Sequence, residues 1–225
     1  MKYKKRVTLF AGHYGSGKTN LAVNCALALA AADKKTLIAD LDIVNPYFRT
    51  RDSEDALNGA GVRIIVSPYA NSNVDVPALP DEMYSIVDDR SYNCVIDVGG
   101  DDRGALALGR LAPALNAEND YEMLFVVNFF RPLTQTAEAA LKVLKEVEAA
   151  ASMRFTGIVN NSNLGLNTSA EDICSTLEKT SELSRISGLP IRATTANASL
   201  FPGILSKIPD AEPVVLKYRS DWAIF

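Results

Sequence analysis

Short apolar runs alternate with longer stretches of mixed polarity from one end of the chain to the other. Val7–Ala11 (VTLFA), Thr36–Leu41 (TLIADL), Val62–Ser67, Tyr92–Val98 (YNCVIDV), Met123–Asn128 (MLFVVN), Phe155–Asn160 and Pro190–Thr194 are rich in apolar residues. Runs of this kind predict strands buried on both faces. Val214–Tyr218 predicts a last one. Between them, Asn20–Ala32 is dense in Ala and Leu, which predicts a helix slim enough to lie close against a sheet. Asp81–Asp88, Ala105–Leu115 and Thr136–Ala151 predict further helices. Thr168 with Glu171 three residues on predicts a capping box for a helix stopping near Gly188. Strand–helix alternation predicts an α/β fold, a three-layer sandwich around a mostly parallel central sheet. With no repeat, low-complexity tract or linker, residues 1–225 are expected to form one α/β domain.

Composition narrows the function classes. Against 23 Lys and Arg stand 27 Asp and Glu, a net charge of −4, with 48% of residues hydrophobic. That balance fits a soluble globular protein and argues against a general nucleic-acid binder. No run approaches the roughly 18 apolar residues of a membrane-spanning helix. The basic start, MKYKKR, is read as the lead-in to the first strand, and the protein as cytoplasmic. Cys25, Cys94 and Cys174 are far apart, no CxxC pair exists, and His13 is the one histidine. Neither a zinc site nor an iron–sulfur cluster is expected from this chain alone, and the cysteines are read as free thiols.

The segment Gly12-His13-Tyr14-Gly15-Ser16-Gly17-Lys18-Thr19 satisfies G-x-x-x-x-G-K-[ST], leaving a predicted strand and opening a predicted helix. Glycines let the backbone turn so that successive N–H groups converge on phosphate oxygens, and the helix N-terminus adds its partial positive charge. The expected phosphate contacts are Gly12, Tyr14, Gly15, Ser16, Gly17, Lys18, Thr19 and Asn20, with Lys18 reaching the β- and γ-phosphates and Thr19 ligating Mg²⁺. Such a loop needs carboxylates at neighbouring strand ends. Asp97 closes CVID and begins D-x-x-G, so that Gly100 is placed to bring its N–H to the γ-phosphate. Asp40 and Asp42 alternate at the end of LIADLD and share a face if the chain stays extended.

At these residues the sequence resembles the MinD/ParA group of P-loop ATPases, which includes CobQ/CobB-type domains and the nitrogenase iron protein. The resemblance runs through GHYGSGKT, LIADLD, CVIDVGG and Gly157–Ser162 (GIVNNS), and covers essentially the whole chain. It implies that Asp40 helps hold Mg²⁺, that Asp42 orients or activates the attacking water, and that Asp97 lies in the second shell of the metal. It implies that Asn161 contacts adenine, and that residues 42–51 and 99–104 are switch loops. Asn160-Asn161-Ser162-Asn163 also lacks the N-K-x-D guanine pattern, so ATP or ADP is the expected nucleotide.

The chain departs from that group at His13, where members carry a signature lysine that reaches across a dimer. Either Arg49, Arg51 or Arg103 supplies the trans charge, or the nucleotide-sandwich dimer does not form. The ending EPVVLKYRSDWAIF is not a basic amphipathic helix, no basic DNA patch is visible, and no cluster-binding cysteine pair is present. The reading is therefore a slow Mg-dependent ATPase acting as a nucleotide switch for a partner protein. A small-molecule kinase or ligase of the dethiobiotin-synthetase or CobQ/CobB kind, with Tyr47, Phe48, Arg49, Asp101, Asp102 and Arg103 lining a substrate pocket, is the alternative. A nucleotide-binding subunit without turnover is a third.

Overall fold

The computed structural model describes residues 3–41, 51–66, 79–100, 102–200, 204–205, 207–208 and 211–214. Strand β1 (Val7–Ala11) leads to α1 (Lys18–Ala31), then β2 (Thr36–Asp40), α2 (Arg51–Gly59) and β3 (Arg63–Val66). A 3₁₀ turn, α3 (Ser85–Asp88), β4 (Asn93–Asp97), α4 (Asp102–Gly109) and α5 (Ala112–Glu118) follow. The chain continues through β5 (Tyr121–Val127), α6 (Ala137–Ala151), β6 (Gly157–Asn160), α7 (Ala170–Ser175), α8 (Leu177–Ser187), β7 (Ile191–Asn197) and β8 (Glu212–Val214). The strands form one sheet in the order β3-β2-β4-β1-β5-β6-β7-β8, with every described pair parallel.

Parity along the strands divides the core in two. Val7, Leu9 and Ala11 face one layer together with Leu37, Cys94, Ile96, Met123 and Phe125, where they meet residues of α4, α5 and α6. Phe10, Ile38, Val95, Leu124 and Val126 face the other, against Leu21, Ala22, Cys25 and Ala26 of α1. Period-2 alternation puts neighbours on opposite faces, so a strand buried on both must be apolar throughout. Complete burial of one such side chain, Phe10, contributes roughly 2–3 kcal/mol. The small residues of α1 let that helix pack closely across β4, β2 and β1, which fixes the loop that leaves β1.

Several expectations shift in detail. The capping box lies one residue later than Thr168/Glu171: Ser169 caps α7 and Asp172 returns the bond. Thr168 is otherwise engaged, its Oγ1 accepting from Leu164 N–H at 2.8 Å and donating to Gly165 O at 2.7 Å. The helix expected up to Gly188 breaks at Thr176, whose hydroxyl turns back onto Ile173 O and accepts from Asn160 Nδ2. The helix expected at Ala105–Leu115 starts at Asp102 and divides before Pro113, which has no N–H for an intrahelical bond and sits instead in the first turn of α5. Asp81–Asp88 is half 3₁₀ turn, half α-helix. Helix α2 begins at the last residue of the expected 42–51 loop, where no helix is expected; among its described side chains it buries only Ser53 and Leu57 deeply, a thin periodic signal. Strand β8 starts at Glu212 rather than Val214, and 215–218 lie outside the described residues. Other boundaries move by about a residue or two.

Candidate functional site

Strand order reverses at β1: β2 and β4 lie to one side, β5 and β6 to the other. A crevice at the carboxyl ends of parallel strands opens where the order reverses, and the glycine-rich loop occupies that point. Gly17 precedes α1 with φ 88°, a left-handed conformation, and no side chain caps the helix. A helix N-terminus entered through a glycine-rich turn is the arrangement that binds anions. A Cβ on Gly17 would stand 2.3 Å from Asn161 Nδ2, so a side chain is excluded there on both counts. Gly12 and Gly15 also take positive φ, at 149° and 74°.

Inside the loop, His13 O accepts from Ser16 N–H at 3.2 Å and from Lys18 Nζ at 3.2 Å. Lys18 is buried, and Ser16 Oγ is buried without a hydrogen-bond partner. Gly100 lies directly against this lysine: a Cβ there would be 3.0 Å from Lys18 Nζ and 2.7 Å from Tyr14 N. The D-x-x-G glycine is therefore pressed onto the loop where no larger residue fits. Tyr14 itself is exposed. Asn20, in the first turn of α1, accepts at its carbonyl from Asn24 Nδ2.

The carboxylates gather beside it. Thr19 Oγ1 donates to Asp97 Oδ2 at 2.6 Å, and Asp97 stands in register with Asp40 on the adjacent strand. Both aspartates are buried. Mg²⁺ takes one or two carboxylates together with phosphate oxygens and water, so a hydroxyl and two strand-end carboxylates beside an anion nest fit that ion. Asp42, Arg49 and Asp101 lie outside the described residues, as do the side chains of Arg51, Asp102 and Arg103. His13 turns its Nδ1 to Tyr14 O at 3.0 Å.

On the other side of β1, Asn161 Nδ2 donates to Ser16 O at 2.6 Å, and Thr195 Oγ1 donates to Asn161 Oδ1 at 2.6 Å. A polar belt continues from there. Asn128 Nδ2 donates to Asn163 O, Phe129 N–H to Ser162 Oγ, and Ser162 Oγ to Asn160 Oδ1. Arg131, at the end of this belt, donates from Nε to Gly15 O at 3.0 Å. Sequence reading missed Asn128, Arg131 and Thr195. The available signal was positional: all three follow, or lie in, strands beyond β1, where crevice-lining residues arise.

No known family profile matches the chain, and no curated protein matches it in sequence. Solved structures do. The cell division protein FtsY of Thermotoga maritima is 18% identical with a TM-score of 0.60, over 88% of this chain and 66% of that one. The signal recognition particle receptor FtsY of Elizabethkingia anophelis, solved with GDP, is 15% identical with a TM-score of 0.48, over 87% and 58%. The BceF tyrosine kinase domain is 20% identical with a TM-score of 0.43, over 68% and 67%. The chain spans less than two thirds of the length of both FtsY structures. The first similarity settles the architecture. This chain shares the parallel α/β fold of that structure.

Proposed function

We propose that the chain is a Mg-dependent ATP-binding protein and slow ATPase of the MinD/ParA type, acting as a nucleotide switch for a partner protein. The observation that carries the reading is the Thr19–Asp97 hydrogen bond of 2.6 Å, with Asp40 in register beside it and Gly100 against Lys18. In this reading Gly12, Tyr14, Gly15, Ser16, Gly17, Lys18, Thr19 and Asn20 hold the phosphates. Lys18 exchanges its bond to His13 O for phosphate oxygens. Thr19, Asp40 and Asp97 hold the magnesium, which when bound neutralises charge on the β- and γ-phosphates. Asp42 orients the attacking water, and Gly100 reports the γ-phosphate through its N–H. The exposure of Tyr14 (62%) and of Leu106 on α4 (57%) supports a partner docking beside the loops that respond to it.

Asn161 supports adenine over guanine. Ser16 O is an acceptor only, so it fixes Nδ2 toward the loop and leaves a second Nδ2 hydrogen and a second Oδ1 lone pair. Adenine offers the matching N7 acceptor and N6 donor, whereas guanine offers two acceptors. The test is calorimetric titration of ATP, ADP and GTP with Mg²⁺ into wild type and Lys18→Ala, together with phosphate release. ATP binding abolished by the substitution is expected. A Lys18→Ala protein that bound and hydrolysed ATP as wild type does would sink the proposal.

A further inference from the structure

Two side chains hold the outside of the phosphate loop, each from a different strand end. Asn161 takes Ser16 O, and Arg131 takes Gly15 O, the carbonyl just before it. Because a trans peptide unit points its C=O and N–H in opposite directions, the side on which these carbonyls emerge is opposite the side that the N–H groups face. Ser16 N–H indeed points inward, to His13 O. Arg131 therefore stands on the outer rim with Asn161, away from the anion nest. Its backbone is fixed: Arg131 N–H donates to Asn128 O at 3.1 Å, its carbonyl accepts from Thr134 N–H at 3.0 Å, and Pro132 follows. Yet its side chain is exposed, and 116 residues separate it from the carbonyl it holds.

We propose that Arg131 is a nucleoside-positioning residue, whose guanidinium, anchored through Nε on Gly15 O, stacks against the purine of the nucleotide bound in the loop. The inference rests on the reading of the loop as a nucleotide site. A guanidinium is planar and always charged, and it packs face to face on aromatic rings as readily as it pairs with anions. Anchoring one nitrogen on the loop orients that plane before the ligand arrives, which lowers the ordering cost of binding. The rim carries the base because the N–H nest takes the phosphates. Asn161 then addresses the edge of the purine and Arg131 its face. No linear signature announces this pairing, since the two residues come from separate strand–loop junctions.

The experiment compares ATP, ADP and inorganic tripolyphosphate, each titrated with Mg²⁺ into wild type, Arg131→Ala, Arg131→Lys and Lys18→Ala. Arg131→Ala is expected to weaken both nucleotides by about tenfold and leave tripolyphosphate unchanged. Arg131→Lys, which keeps the charge and a donor but loses the plane, is expected to recover little of that loss. Equal loss for ATP and tripolyphosphate would make Arg131 a brace of the loop and overturn the proposal. Full recovery by lysine, or no loss of nucleotide affinity in Arg131→Ala, would overturn it too. In each of these cases Lys18→Ala still abolishes ATP binding, so the site survives although its rim is misread. A wild-type protein that bound neither nucleotide would overturn both readings.

Discussion

Among the described contacts, the buried carboxylates at the two ends of the sheet meet different groups. At the amino ends of the strands each is met by a cation. Arg6 Nη2 donates to Glu118 Oε2 at 2.6 Å, with both side chains only 9% exposed. Arg192 Nη2 donates to Glu122 Oε2 at 2.9 Å, and Glu148 accepts from Lys145 and Arg154. At the carboxyl ends Asp40 and Asp97 stand side by side in register, and Asp97 takes the neutral hydroxyl of Thr19. A carboxylate hydrogen-bonded to a guanidinium is a closed unit that joins distant segments. Two adjacent carboxylates concentrate negative charge where a divalent ion would relieve it. The amino-end ion pairs join distant segments of the chain, and the proposed function gives the carboxyl-end pair to a ligand.

The largest expected effect tests the amino end. Glu118→Ala leaves the Arg6 guanidinium without its carboxylate, with only its own remaining described acceptors, Tyr92 O, Ile86 O and Cys94 Sγ. Removing one partner of a buried ion pair costs about 3–5 kcal/mol, and the remaining carbonyl contacts place this site at the lower end. Urea unfolding followed by circular dichroism should show that loss, with ATP affinity of the folded fraction unchanged. A loss below about 1 kcal/mol would reduce the pair to an ordinary surface bridge.

Asp97→Asn is the matching test at the carboxyl end, and the expected signs reverse. Asparagine still accepts from the Thr19 hydroxyl but removes one of two neighbouring negative charges. Magnesium-dependent ATP affinity or turnover should fall roughly 10- to 100-fold, the usual cost of altering a metal's supporting shell. Stability to urea should hold or rise, since groups arranged for a ligand are commonly strained without it. If Asp97→Asn destabilised the protein as much as Glu118→Ala, the contrast between the ends would collapse.

The contrast also explains what was legible in the sequence. Glycine positions, the lysine and the strand-end aspartates are spaced by local geometry, a strand leaving and a helix starting, so Gly12–Thr19 and Asp97–Gly100 stand out along the chain. Pairings such as Arg6 with Glu118, or Arg131 with Gly15, are separated by 112 and 116 residues and are made only when the strands assemble. Their sequence neighbourhoods carry no periodicity that marks them. Thr168 shows the same limit at short range: a well-placed cap residue lost its role because Gly165 and Leu164 claimed its hydroxyl first.

Acid titration gives the smallest effect and the finest comparison. The hydrogen bonds from Arg6 hold Glu118 below the usual glutamate value against an opposing push from burial. Burial pushes Glu148 upward, but the hydrogen bonds from Lys145, the Phe155 N–H and Arg154 outweigh it and leave it lowered as well. A carboxyl whose folded value is depressed binds its proton more readily in the unfolded chain. Its stabilisation is complete above the unfolded value of about 4.3 and is lost as pH falls below that, through the depressed folded value. Wild type should therefore lose urea stability steadily below about pH 4.3, and Glu118→Gln, which has no proton to take up there, should lose less over the same range. Equal slopes would show that Arg6 holds Glu118 no more tightly in the folded chain than water does in the unfolded one, and the amino end would no longer differ from an ordinary charged surface.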